Sequence, residues 1–600
     1  MLDSVNKNKK NIYIIIGVLI IQTIYMACCF NFEKQGFHSD ELWSYGFANS
    51  NDGPYIYMNN DETEFKNINQ WVDSSVLKDY ITLDKSEIFN YKMVYENCAY
   101  DMHPPLYFML IHLVSSFAVG KFSKWFAFLI NLFAFVLAQV FLYKLIRIIT
   151  KDDIFALLGI LYYGFTMGAV NDTIYLRNYS LCTAFVVMTA YYSTEVYYHR
   201  HEEKKQWGYI IKSGIAILLG SLTVHFSLPI AFIIVLMYCL FYLFSKNIKL
   251  MFKYGIVMAV SVGLSILMFW PTINHVFSDR RVVDGAVNYP AAWQFKIYWA
   301  YLQRDIIGFR NSIWPSMTDT YLMLGLAGLI FILIPVCFIF RNEDWFKDFV
   351  AKFKNAVKTL WEKRKHFQYP ILVMFVSVNF LLLISAFETS IYFMGEHSRR
   401  YIFIIYPLYC CFILTFFYFP VKWIFKNKKT RNIVITVLLC ITITVVYVSR
   451  TKAFFFAYST EGMSLEEIED DANTVLLLNS PFLLTCVTDK LMDTAHFYET
   501  NIFEFKKNDN YFEIDTKNAP LYLALDSSAI VSEEEYEMAV NEGKVYVEGV
   551  ERQLEGEINV DAFVTLNQVL DYYETLFECE AEYKGLDNVF GRQIIIYKFE

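Results

Sequence analysis

The sequence predicts an α-helical polytopic membrane protein, with about eleven to twelve transmembrane helices, that ends in a soluble α/β domain. Three observations predict this. Hydrophobic residues make up 56% of the 600 residues and aromatic ones 18%, far above a soluble chain of this size. Apolar runs of about 20 residues, enough to cross a hydrocarbon core, recur through the first 450 residues. The net charge of −9 is divided unevenly: residues 451–600 hold 31 Asp/Glu and 10 Lys/Arg, leaving 30 acidic and 42 basic groups upstream. A basic membrane part and an acidic tail read as two domains, 1–452 and 453–600. Neither carries a basic patch of the kind nucleic acid requires.

The expected spans are 12–30, 123–147, 153–171, 179–198, 207–224, 226–245, 254–270, 320–340, 370–388, 401–420 and 432–450. Lys7, Lys9 and Lys10 precede the first, and no small-residue cleavage site follows it, so it reads as a retained helix. A further apolar stretch, 104–119, is placed by charge. The connection 341–369 carries eight Lys/Arg and 421–431 carries five, which assigns both to the cytoplasm. Strict alternation back from these puts 31–103, 172–178, 271–319, 389–400 and the tail outside, provided that 104–119 dips in or lies along the interface without crossing. Two long outer loops result, 31–102 and 271–319; the first holds Trp43 and Trp71, suited to short helices on the bilayer surface. The tail reads as strands at Val475–Leu478, Leu521–Leu525, Lys544–Val547 and Gln593–Phe599 with helices between, and Ser464 with Glu467 fits a capping box. Cysteines in the apolar runs, Cys337 among them, read as packing residues. Cys486 and Cys579 of the tail are either a disulfide or two free thiols.

This topology gathers the chemistry-bearing residues on one face. Asp40 and Glu41 follow the first span; adjacent carboxylates can divide proton removal from substrate or cation binding. The competing structural reading is that both cap a short helix. His103 opens His103-Pro104-Pro105-Leu106-Tyr107, where the prolines equally serve to start a helix. Arg177, Arg399 and Arg400 stand at membrane edges, where arginine either grips phosphate bidentately or snorkels to headgroups. Asp172, Tyr179 and His225 share the same side; Asp172 offers a second acid and His225 lies in a short outer turn. No cofactor is required by these residues; a divalent cation, if one is used, has Asp40, Glu41 or Asp172 to bind it.

In their order these motifs resemble the GT-C superfamily of membrane glycosyltransferases, and within it the bacterial proteins related to protein O-mannosyltransferases and aminoarabinose transferases. The motifs are the acidic Asp40-Glu41 after the first span, His103–Tyr107, Arg177-x-Tyr179, and Arg400-Tyr401 opening a late span that contains Pro407. The resemblance covers residues 1–450. It implies a polyprenyl-phosphate-linked sugar as donor, membrane lipid and an envelope acceptor as partners, and inverting transfer on the outer face of the plasma membrane. Asp40 would be the base, and Arg400 with Arg399, Arg177 and His103 would hold the phosphate. One departure stands out: many relatives carry an acid two residues before the Arg-x-Tyr arginine, where this chain has Tyr175, and its nearest acid is Asp172. Other classes fit less of the pattern. A transporter or flippase would place polar groups at mid-membrane in paired repeats, and none is visible. A scaffold leaves the acidic and arginine motifs unexplained. A polysaccharide polymerase would also use outer arginines.

Overall fold

The computed structural model describes residues 2–59, 64–277, 291–308, 343–363, 368–388, 395–425, 427–448, 460–508, 510–514, 519–542, 544–547, 550–553, 563–589 and 591–600. The expected span 320–340, with Cys337, and the Asp279–Arg281 stretch lie outside them. The chain divides into two compact units. One comprises Met1–Phe30 and Phe128–Phe455; the other comprises Asn31–Ala127 and Phe456–Glu600.

The first unit is helical. Every other expected span coincides with a helix, from Leu2–Phe32 and Lys124–Thr150 through Tyr179–Tyr198, Glu203–Ser221, Ser227–Phe244 and Ile248–Met268 to Tyr369–Glu388, Tyr406–Ile424 and Lys428–Val448. Among the described residues six helices are long and apolar enough to cross a bilayer, or seven if a bent pair counts as one. That pair, Asp153–Gly164 and Met167–Ile174, occupies the expected single span 153–171 and bends by 60°. The break has a local cause: Thr166 leaves helical geometry and its hydroxyl accepts from the Ala169 N–H, starting a new helix. Buried amides join the helices. Gln139 donates to Gln22 at 2.9 Å, and both donate to the Ile160 carbonyl. Gly164 admits this contact, since a Cβ there would fall 2.2 Å from the Gln22 amide.

The second unit is built on a seven-stranded sheet with the order β1-β4-β3-β5-β9-β8-β2. Its strands are β1 (Trp71–Asp73), β2 (Glu461–Gly462), β3 (Asn473–Leu477), β4 (His496–Thr500), β5 (Leu521–Asp526), β8 (Ala581–Val589) and β9 (Arg592–Phe599); β6 (Lys544–Val547) and β7 (Val550–Gln553) form a separate hairpin. β4, β3 and β5 run parallel and the remaining pairings are antiparallel. Alternation turns Val475, Leu477, Tyr498, Leu521, Leu523 and Leu525 to one face, where Val569, Tyr573 and Phe577 of the Leu566–Phe577 helix cover them. Ser464 and Glu467 do form a capping box, on a three-residue 3-10 turn. Cys486 and Cys579 are free thiols. Cys579 packs against that core, whereas Cys486 is buried in the Leu484–Leu491 helix.

The segment after the first helix supplies an edge strand to the tail's sheet. Trp71 of β1 sits opposite Tyr498 of β4, and its indole N–H donates to the Tyr511 carbonyl at 2.9 Å. Lys78 pairs with Asp493 at 2.7 Å, and Ser74 bonds Thr494 at 2.9 Å. The Leu106–Ser115 helix belongs to this unit. Its ten residues span about 15 Å, half the thickness of a hydrocarbon core.

Candidate functional site

The residues singled out in the sequence divide between the units. Asp40, Glu41 and His103 fall in the second; Asp172, Arg177, Tyr179, His225, Arg399 and Arg400 fall in the first.

In the second unit a helix starts at the acidic pair, Ser39–Asn49, with His38 as its cap. The two carboxylates have different places. Glu41 is the N3 member of a capping box: its Oε2 accepts from the His38 N–H at 2.7 Å and from Lys34 Nζ at 2.8 Å, and it is fully buried. Burial lowers the Lys34 ammonium from its ordinary value, against the opposing pull of Glu41. Asp40 is not the capping acid. Its backbone N–H donates to His38 Nδ1 at 3.1 Å, and its Oδ1 lies 3.9 Å from the same ring nitrogen. Glu41 therefore fixes the helix start that carries Asp40. Two residues along, Trp43 donates its indole N–H to Thr485 Oγ1 at 3.1 Å, tying this helix to the tail.

His103 is oriented by a residue not singled out in the sequence. Asp101 bonds its Nδ1, while the other carboxylate oxygen of Asp101 accepts from Tyr55 at 3.1 Å. Phe47 and Phe108 flank the imidazole, with ring centroids 5.7 and 6.1 Å away. The available signal was the carboxylate two places before a histidine that precedes a Pro-Pro pair.

In the first unit the arginine motifs meet. Arg177 is buried between the Met167–Ile174 and Tyr179–Tyr198 helices. Asn131 holds this turn by donating to the Thr173 and Tyr175 carbonyls at 3.1 and 2.6 Å, and Asn178 donates to Thr223 at 2.8 Å. Arg399 and Arg400, both buried, lie in the 3-10 segment Gly395–Ile405. An aromatic cluster joins the two segments: Tyr175 stacks on Tyr179, and Tyr179 packs edge-on against Tyr401 and Phe403 at 6.4 and 6.3 Å. Arg400 lies over the Tyr401 ring at 5.2 Å. His225 belongs to the same neighbourhood, since Phe226 packs on Tyr401 at 5.4 Å and His225 itself meets His275 at 5.7 Å. Tyr175, which stands where many relatives of this type carry an acid, is thus an aromatic anchor.

Asp305, near the end of the Ala291–Ile307 helix, was invisible in the sequence. It is fully buried and accepts from Tyr406 at 2.7 Å and from Arg399 Nη1 and Arg304 Nε at 3.4 Å each. It thereby sets the direction of Arg399. Asp172 is buried within the Met167–Ile174 helix, where its Oδ1 has no hydrogen-bond partner. Among the described residues no three His, Cys, Asp or Glu side chains converge as a metal ion would need.

Residues 102–275 match the family described as dolichyl-phosphate-mannose-protein mannosyltransferase. No curated protein matches the chain. Similar solved structures include the oligosaccharyltransferase AglB from Archaeoglobus fulgidus, in complex with an inhibitory peptide and a dolichol-phosphate. It is 11% identical, with 87% of this chain and 69% of that one covered and a TM-score of 0.43. ArnT from Cupriavidus metallidurans, bound to undecaprenyl phosphate, is 8% identical, with 98% and 97% covered and a TM-score of 0.43. The Archaeoglobus fulgidus oligosaccharyltransferase has also been solved in complex with Zn and sulfate; it is 12% identical, with 88% and 68% covered and a TM-score of 0.42. What each of these binds is a property of that protein. The motif resemblance and the family match over 102–275, which includes His103, Asp172, Arg177, Tyr179 and His225, agree on one class of enzyme: a membrane glycosyltransferase that uses a lipid-linked donor.

Proposed function

We propose that this chain transfers a sugar from a polyprenyl-phosphate donor to a hydroxyl of an envelope acceptor, at the outer face of the membrane and with inversion. The observation that carries the reading is the meeting of the Arg177 turn with the Arg399–Arg400 segment through Tyr179, Tyr401 and Phe403. Buried guanidiniums on two segments joined by these aromatic contacts suit a phosphate that must leave with a full extra charge.

In the proposed reaction the acceptor oxygen attacks the anomeric carbon and the carbon–oxygen bond to phosphate breaks. The acceptor proton passes to Asp40, and the bond's electrons leave with the lipid phosphate. Arg400 and Arg177 bind that phosphate in this reading, and Arg399 is aimed by Asp305. Glu41 and Lys34 keep the start of the Ser39–Asn49 helix in place beneath Asp40. His103, oriented by Asp101, is assigned a supporting hydrogen bond to the donor.

The test uses full-length protein in lipid vesicles with a panel of polyprenyl-phosphate sugars and a crude envelope acceptor fraction, read by mass spectrometry. Wild type is expected to release sugar from one donor. Asp40→Asn should lower turnover by roughly 10²–10⁴-fold while melting normally and still binding donor. Wild-type turnover in that variant removes Asp40 from the mechanism.

A further inference from the structure

The first unit carries a pocket whose residues the proposed transfer does not use. An open pocket of about 390 Å³ is lined by Lys144, Arg147, Lys151, Tyr191, Glu195 and His199, together with Asp153 and Tyr209. It lies at the far end of the Tyr179–Tyr198 helix from Arg177. Twenty residues at 1.5 Å rise make about 30 Å, the thickness of a hydrocarbon core, and the pocket and Arg177 lie toward opposite ends of this helix. Charge distribution assigns the pocket's end, with Lys144–Lys151 and His199–Lys205, to the cytoplasm.

The charges in the pocket are not balanced within it. Arg147 pairs with Asp153 at 2.5 Å. Glu195 accepts from Tyr191 at 2.5 Å and faces His199 Nδ1 at 3.2 Å. Both acids are thus engaged. Lys144 is half-buried and lies over the Phe141 ring at 4.6 Å, and Lys151 lies over Tyr198 at 4.7 Å; neither has an ion-pair partner among the described residues. Lys212 adds a further cation nearby, over the Tyr192 and Tyr209 rings. Lys151 holds a left-handed backbone, φ 58°, at the sharp turn between the helices, a conformation a non-glycine residue adopts at some cost. The flanking helices present Ile154, Trp207 and Ile211 outward, half-exposed apolar side chains of the kind that contact acyl chains beside an interfacial tryptophan.

We infer that this pocket binds the phosphate-bearing headgroup of an anionic phospholipid, with Lys144 and Lys151 as its phosphate ligands and Tyr191 and Tyr209 as hydroxyl-bearing walls. A concave site with two uncommitted ammonium groups, opening beside membrane-facing apolar side chains, fits a headgroup whose acyl chains stay in the bilayer better than it fits a soluble anion. The site is separate from the donor phosphate site and does not depend on the proposed reaction.

The experiment places full-length protein in nanodiscs of phosphatidylcholine with phosphatidylglycerol and counts retained lipids by native mass spectrometry. Wild type is expected to retain phosphatidylglycerol selectively. Lys144→Gln with Lys151→Gln should lower that selectivity roughly thirtyfold, from the contribution of two lysines near an anionic surface. Lys144→Arg with Lys151→Arg keeps the charge and should retain the lipid. Equal selectivity in wild type and the glutamine variant overturns the inference, as does loss in the arginine variant. Inorganic phosphate that displaces the lipid at comparable concentration would assign the site to a soluble anion and overturn it too.

Discussion

Asp305→Asn tests the arrangement of the arginine cluster from a position outside every sequence motif. The substitution keeps the side chain's shape and one acceptor oxygen but removes the charge. In the wild type that charge receives the Tyr406 hydroxyl at 2.7 Å and the Arg399 and Arg304 guanidiniums at 3.4 Å, all fully buried. Turning the Tyr406 contact from charge-assisted to neutral costs about 1 kcal/mol. Removing one partner of a buried ion pair costs about 3–5 kcal/mol, and the 3.4 Å arginine contacts place this case at the low end. A loss of about 3–4 kcal/mol is therefore expected, read as a lowered thermal transition of the detergent-solubilised protein. The functional readout separates positioning from simple destabilisation. At a temperature where the variant is still folded, KM for the lipid-phosphate donor should rise at least tenfold, because Arg399 is no longer aimed, while kcat changes less. Unchanged melting together with unchanged donor KM refutes the claim that Asp305 orients Arg399.

Two further outcomes follow from the same geometry. Arg400→Ala should weaken donor binding by about 10- to 100-fold through loss of charge-assisted bonds to phosphate, measured as displacement of a fluorescent polyprenyl phosphate, with wild-type affinity counting against its role. In the tail, burial raises the half-buried Asp489, whose Oδ1 is enclosed, to about 7 from 3.8, with Lys490 opposing and Glu466 and Asp587 adding to the rise. Between those values the folded chain keeps a proton that the unfolded chain has released, so this group's stabilising contribution is full at acid pH and is lost as pH rises through about 7. Asp489→Asn should therefore raise stability near pH 8 by about 2 kcal/mol and flatten its dependence between pH 4 and 7. A variant no more stable than wild type at pH 8 would show that Asp489 is not held neutral.

The amino-acid sequence by itself determined the helical framework. A run of 20 apolar residues has one low-energy structure in a hydrocarbon layer, and each expected span among the described residues became helical. It also determined the tail's α/β character and four of its strands within a residue or two, because alternation and β-branched runs are local signals. Asp40, Arg177 and Arg400 stand out in the sequence as candidates because their motifs lie at the ends of apolar runs. What only the structure decided depends on contacts, near and far in the chain, that composition and periodicity do not register. β1 is three residues long, too short for any periodicity, and is a strand only because β4 offers it an edge. The bend inside 153–171 is set by Thr166 capping a second helix, a choice that apolar composition does not register. Asp305 acquires its place from Arg399 and Tyr406, about a hundred residues away. The different places of Asp40 and Glu41 are decided locally: both are helix-start acids in the sequence, and Lys34 and the His38 N–H, within seven residues, reach the Glu41 carboxylate. A side chain's chemistry is written in its residue type, but its partners, and hence its role, are fixed by which distant groups folding brings within 3 Å.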